Sequence, residues 1–140
     1  MTIAKLLGKR AVVSVGADRT VREVVALLAE HRIGAVPVLE GAEVVGIFSE
    51  RDMIHALVER GADALDLTVA ERMTSPAITV DPAASVLGAL SLMTQRRIRH
   101  LPVIDADRLV GFVSIGDLVK YRIDGIEAEA KAMRDYIQQG

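Results

Sequence analysis

The segment IGAVPVLEGAEVVGIFSERD, beginning at Ile33, aligns without gaps on IRHLPVIDADRLVGFVSIGD, beginning at Ile98. The offset of 65 residues carries Pro37 onto Pro102, Val38 onto Val103, Gly46 onto Gly111, Ser49 onto Ser114 and Asp52 onto Asp117. Upstream, the same offset carries Val15 onto Val80, Val21 onto Val86, Leu27 onto Leu92 and Arg32 onto Arg97. A chain of 140 residues has room for one compact domain or for two small halves. Self-similarity at a fixed offset decides for two halves, because each copy is one supersecondary unit. Together they cover nearly all of residues 12–123.

Each copy reads β-α-β-β-α. Residues 12–15 form a short apolar strand, and Thr20 then caps a helix with Glu23 three residues on. Val21, Val24, Val25 and Leu28 give that helix one buried face, which Val86, Ala89, Leu90 and Met93 repeat in the second copy. Two β-branched runs, AVPVL and EVVGIFS, flank a hairpin at Glu40, Gly41 and Ala42. A second helix opens after Ser49 and is expected to bury Met53, Ile54, Leu57 and Val58. One unit alone would leave an apolar sheet face in water. Pairing two units about a pseudo-two-fold axis buries it and predicts an α+β body whose halves share one core. The expected organisation is an N-terminal segment over 1–11, one repeat over 12–62 and a linker over 63–76. A second repeat covers 77–123 and a C-terminal helix 124–140. Thr68 and Glu71 carry capping-box spacing for a short helix in the linker.

Composition removes several classes of function. There are no cysteines, which excludes disulfides, thiol catalysis and thiolate zinc sites. Seventeen basic against nineteen acidic residues, with 3% aromatics, give neither the basic excess nor the stacking residues of a nucleic-acid binder. No apolar run reaches the roughly 18 residues of a membrane span. The start, MTIAKLLGKRAVV, is charged too early for a secretory signal, so a cytoplasmic location is expected. His31, His55 and His100 lack metal-ligand spacing, so no metal site is expected. Gly41 and Gly46, like Gly111 and Gly116, stand at P-loop spacing, but no Gly-Lys-Ser/Thr follows either pair. No nucleophile elbow accompanies the Ser, His and Asp residues, and enzymatic activity is not expected.

The motif h-P-V followed by h-V-G-h-h-S-x-x-D occurs twice, from Val36-Pro37-Val38 to Asp52 and from Leu101-Pro102-Val103 to Asp117. With the connecting stretch ERMTSPAITV, it resembles a tandem pair of CBS domains, the module named after cystathionine β-synthase. The resemblance spans almost the whole chain. It implies a regulatory module that holds an adenine nucleotide in the clefts between its repeats.

Two readings are open for Ser49-x-x-Asp52 and Ser114-x-x-Asp117. Either pair can cap the helix that follows it, as Thr20 and Glu23 do. The resemblance implies instead that Ser49, Asp52, Ser114 and Asp117 bind ribose. It also assigns phosphate to His31, Arg32, Arg96, Arg97, Arg99 and His100, with Asp52 working beside Arg96 and Arg97, and Asp117 beside His31 and Arg32. An arginine fork suits phosphate because it binds two oxygens at once. Without a ligand, the same cations would simply complement helix C-termini. The purine would lie against Val13, Ala35, Val36 and Pro37 in one cleft and Ile78, His100, Leu101 and Pro102 in the other, unless these residues are only core.

AMP is the first expectation, with ADP, ATP or NAD(H) as alternatives and no cofactor required. The clefts should differ in affinity, because Gly34-Ala35 corresponds to Arg99-His100 and Glu50-Arg51 to Ile115-Gly116. Ile123, Ile126, Ala130, Met133 and Ile137 recur at helical steps in the tail, for packing on its own domain or for a partner. The resemblance implies a homodimer that acts on a separate regulated protein. The competing function is a structural or interaction module whose clefts hold no significant ligand.

Overall fold

The computed structural model describes residues 1–8 and 10–139. Lys9 of the N-terminal segment and Gly140 at the end of the expected C-terminal helix lie outside the described residues. The order is α1 (Ile3–Leu7), β1 (Val15–Gly16), α2 (Val21–His31), β2 (Ala35–Glu40), β3 (Glu43–Ser49) and α3 (Glu50–Arg60). A 3-10 turn (Gly61–Asp66) and α4 (Val69–Arg72) lead into α5 (Val86–Arg96), β4 (His100–Asp105), β5 (Arg108–Ser114) and α6 (Ile115–Gln139). The two repeats of the α+β fold are related by a pseudo-two-fold axis.

The repeat extends to fine detail. β2 and β3 pair antiparallel with a register shift between Val38 and Leu39, and β4 and β5 shift at the equivalent Val103 and Ile104. β1 runs parallel to β2, pairing Val15 with Val38, and Val80 forms the matching parallel bridge with Val103. The expected strand over 12–15 is therefore shorter and displaced, and in the second repeat it shrinks to one bridge. α2 buries Val21, Val24 and Leu28, and α5 buries Val86, Ala89 and Met93, as their periodicity predicts.

The buried residues form two clusters rather than one shared core. One gathers Val21, Val24, Leu28, Val36, Val38, Phe48 and Val69 in the first repeat. The other gathers Val86, Met93, Leu101, Val103, Val113 and Leu118 in the second, and Ile3 belongs to it. Each repeat is closed by the segment that leads into the other repeat. α4, just after the first repeat, places Val69 in the first core, while α1 places Ile3 in the second. Ile3 N donates to the Ala84 carbonyl at 2.9 Å and Ala4 N to the Pro82 carbonyl at 2.9 Å.

Two expectations about helices need correction. α3 fully buries only Ala56, with Met53 half-buried, while Ile54, Leu57 and Val58 face outward and Val58 is 82% exposed. The apolar spacing was helical, but periodicity alone does not say which side of a helix meets the core. The second helix of repeat 2 and the expected tail helix are one continuous element, α6, because nothing between Ile115 and Gln139 breaks the helix. Gly125 is tolerated within it.

Candidate functional site

Both Ser-x-x-Asp boxes sit where a strand passes directly into a helix. At the start of α3, Asp52 Oδ2 accepts from Ser49 N at 2.9 Å and from Ser49 Oγ at 3.1 Å, and Ser49 Oγ accepts from Asp52 N at 3.4 Å. At the start of α6, Asp117 Oδ2 accepts from Ser114 N at 3.0 Å, and Ser114 Oγ accepts from Asp117 N at 3.1 Å. The capping reading thus holds in both repeats. It occupies one carboxylate oxygen and leaves the other to differ. Asp52 Oδ1 accepts from the Thr74 hydroxyl at 2.9 Å. Asp117 Oδ1 accepts from none of the described residues, and the position equivalent to Thr74 is Lys9.

Each box lines a cleft between the repeats. The Asp52 cleft, of about 580 Å³, joins Ser49, Glu50, Arg51 and Asp52 to Ile78, Arg97, Arg99 and His100 of the second repeat. The Asp117 cleft, of about 420 Å³, joins Phe112, Ser114 and Asp117 to Val13, Arg32 and Ala35 of the first. Both volumes fall in the range of small-molecule sites, roughly 300–1,000 Å³. In each cleft the box carboxylate of one repeat is therefore joined by arginine from the other, Asp52 by Arg97 and Arg99 and Asp117 by Arg32.

The backbone explains which arginines reach the clefts. α2 ends on Arg32 at φ 55° and ψ 44°, and α5 ends on Arg97 at φ 55° and ψ 43°. This left-handed cap normally selects Gly, or Asn, since a Cβ there costs on the order of 1 kcal/mol. The turn it produces aims both side chains into the clefts. His31 and Arg96, one residue earlier, stay on the helices and line neither cleft. Helical neighbours point about 100° apart, so adjacent basic residues cannot share a target.

The purine expectations divide in the same way. Val13 and Ala35 line the Asp117 cleft and Ile78 the Asp52 cleft. Val36, Pro37, Leu101 and Pro102 do not line either. They are buried within β2 and β4, where Val36 and Leu101 have no exposed surface. His100 lines both clefts, as does Gly34. Its ring stacks on Phe112 with centroids 5.4 Å apart and planes within 9°. Burial lowers the His100 pKa, and the Arg99 cation pushes the same way against the pull of Asp117 and Glu50.

The sequence reading missed Arg10 and Phe112 in one cleft and Arg51, His55 and Thr74 in the other. The offset could have found some of them: residues 10–13 are equivalent to 75–78, so the segments entering each repeat roof equivalent clefts. Glycines permit that approach. A Cβ at Gly46 would stand 2.8 Å from the Thr74 carbonyl oxygen and 2.6 Å from the Met73 sulfur, and one at Gly111 would collide with Leu7.

Two pseudo-symmetric repeats, with residues of both lining a cleft at each Ser-x-x-Asp box, define a tandem α+β repeat module. The CBS domain profile matches residues 5–59 and 67–124, and the chain belongs to the CBS domain family. It is 37% identical over 128 residues to the CBS domain-containing protein CBSX3, mitochondrial, of Arabidopsis thaliana, covering 88% of this chain and 62% of that protein's length. The crystal structure of the CBS-domain containing protein ATU1752 from Agrobacterium tumefaciens superposes with a TM-score of 0.82 at 38% identity, over 87% of this chain and 99% of that one. The CBS domain pair of protein MJ0100, in complex with 5-methylthioadenosine and S-adenosyl-L-methionine, shares the fold with a TM-score of 0.78 at 24% identity, over 91% and 98% of the chains. Among the described residues, no helix is long and apolar enough to cross a membrane.

Proposed function

We propose that this protein is a regulatory, non-catalytic module that binds adenine nucleotides, AMP foremost, in the clefts between its repeats. The observation that carries the reading is the twofold meeting of a Ser-x-x-Asp box from one repeat with a left-handed arginine from the other, Asp52 with Arg97 and Asp117 with Arg32. The carboxylate accepts from the ribose diol, the helix N-terminus favours the anion, and the arginine fork takes phosphate oxygens. A strained conformation retained at an arginine in both copies is the kind of cost kept for function. The adenine-containing ligands named for the MJ0100 pair belong to that protein, and the likeness there extends to the fold alone.

The clefts are unequal. Arg51, Arg97 and Arg99 line the larger one with Glu50 and Asp52, whereas Arg10 and Arg32 line the smaller with Asp117 and Phe112. A nucleotide bridging both repeats shifts their relative orientation, and a homodimer transmits that shift to a separate protein that prefers one state.

A thermal-shift screen with AMP, ADP, ATP, NAD(H) and S-adenosylmethionine tests the reading. A specific ligand stabilises the protein by about 2.7 kcal/mol at one hundred times its Kd. If none of them moves the transition, the module is an interaction scaffold.

A further inference from the structure

α6 is amphipathic on two sides. Leu118, with Ile115 and Tyr121, faces its own repeat, and only Leu118 is fully buried. Val119, Ile123, Ile126, Ala130, Met133 and Ile137 form a second stripe, separated by alternating steps of four and three residues. All six are exposed, Met133 by 61% and Ile137 by 67%. At 1.5 Å per residue the stripe runs about 27 Å. Alternating four and three is the a/d spacing of a coiled-coil seam, not the broader face that packs on a sheet.

We infer that this seam is covered by α6 of a second copy of the chain, in a parallel, in-register two-helix coil. Charge complementarity selects that occupant and that direction. With Ile123, Ala130 and Ile137 at a positions and Val119, Ile126 and Met133 at d, the flanking g positions hold Arg122 and Glu129 and the e positions Glu127 and Arg134. In a parallel pair each g residue meets the next e residue of the other helix. Arg122 then faces Glu127 of the second copy, Glu129 faces its Arg134, and the two-fold repeats both pairs. No like charges meet. An antiparallel pair covering the same stripe sets Lys120 against Arg134 and places Glu127 and Glu129 against their own counterparts. The inference deepens the homodimer reading by naming its surface, and it is independent of nucleotide binding.

The test is sedimentation equilibrium on the full chain, with charge reversals at the exposed Glu129 and Arg134. Glu129→Arg and Arg134→Glu should each weaken the dimer roughly tenfold, by turning reciprocal attractions into repulsions, and the double reversal should restore it. Because the chain has no cysteine, Ala130→Cys and Met133→Cys report direction: each should form a self-crosslinked dimer under mild oxidation. Circular dichroism melts establish that the variants are folded. A monomeric wild type at tens of micromolar overturns both the homodimer and the coil. A dimer indifferent to the reversals, or one that crosslinks only between Ile123→Cys and Met133→Cys chains when the two are mixed, keeps the homodimer and overturns the parallel coil.

Discussion

Arg32 and Arg97 share one left-handed backbone conformation, within a degree in both dihedrals, at the ends of equivalent helices that feed opposite clefts. Neither arginine is there for the sake of the turn, since glycine would make it more easily. Arg32→Gly and Arg97→Gly should therefore leave stability within about 1 kcal/mol of the parent, as relief of strain offsets the greater freedom of the unfolded chain. Each should weaken nucleotide binding in its own cleft by roughly 10- to 100-fold, the loss expected for charge-assisted hydrogen bonds. Thermal melts and titration calorimetry on the same samples separate the two effects.

Removal of the boxes should be unequal. Asp52→Ala forfeits acceptors for Ser49 and Thr74, whereas Asp117→Ala forfeits, among the described residues, the Ser114 contact alone. Both should destabilise by about 1 kcal/mol, as lost caps do, and Asp52→Ala by more. In calorimetry each should cut affinity in its own cleft by roughly 10- to 150-fold, leaving the other site titrating normally. Stability losses with intact binding would reduce the boxes to caps.

The glycine of each motif should respond to alanine according to what crosses it. At Gly46 the obstacle includes a backbone carbonyl, which moves only with its segment, while at Gly111 it is the end of the Leu7 side chain. Gly46→Ala should cost about 1–3 kcal/mol, and Gly111→Ala distinctly less. Urea midpoints at constant m-value measure the difference.

His100 should titrate below the ordinary histidine value of about 6.5 when observed by NMR. Burial is the main cause, so the neutral ring is the form the fold prefers. The unfolded chain then binds the proton more readily than the folded one. This contribution to stability is present above about pH 6.5 and is lost as pH falls through the lower folded value. A bound phosphate in either adjoining cleft should raise the His100 pKa, because an anion favours imidazolium. An unchanged titration with saturating AMP would place phosphate away from this ring.

The duplication made most of the fold readable. Offset alone placed β2, β3, β4 and β5 and the buried faces of α2 and α5, because strand alternation and helical spacing were each written twice. What it could not supply was direction. The apolar positions of α3 were correct as a stripe, yet Ile54 and Val58 face away from the core that Ala56 meets. The site divided along the same line. Ser49, Asp52, Ser114 and Asp117 were fixed by a local motif, but choosing Arg32 over His31 and Arg97 over Arg96 required knowing the φ of one residue in each repeat. Thr74 and Arg10 belong to segments whose place over the clefts is set by tertiary crossing, and no local pattern encodes that.

The crossing of α1 onto the second repeat has a consequence for how the molecule comes together. Ile3 completes a core built from residues 86–118, and the chain then runs past Leu7 along the Asp117 cleft into the first repeat. The second half lacks a lid unless the beginning of the first half delivers it. The second half is not a self-sufficient intermediate, so its completion must wait for a contact spanning most of the chain, a slow closure that favours all-or-none behaviour. A perturbation at the first few residues should thus be felt not next door but some eighty residues along the sequence, in the repeat that borrows them.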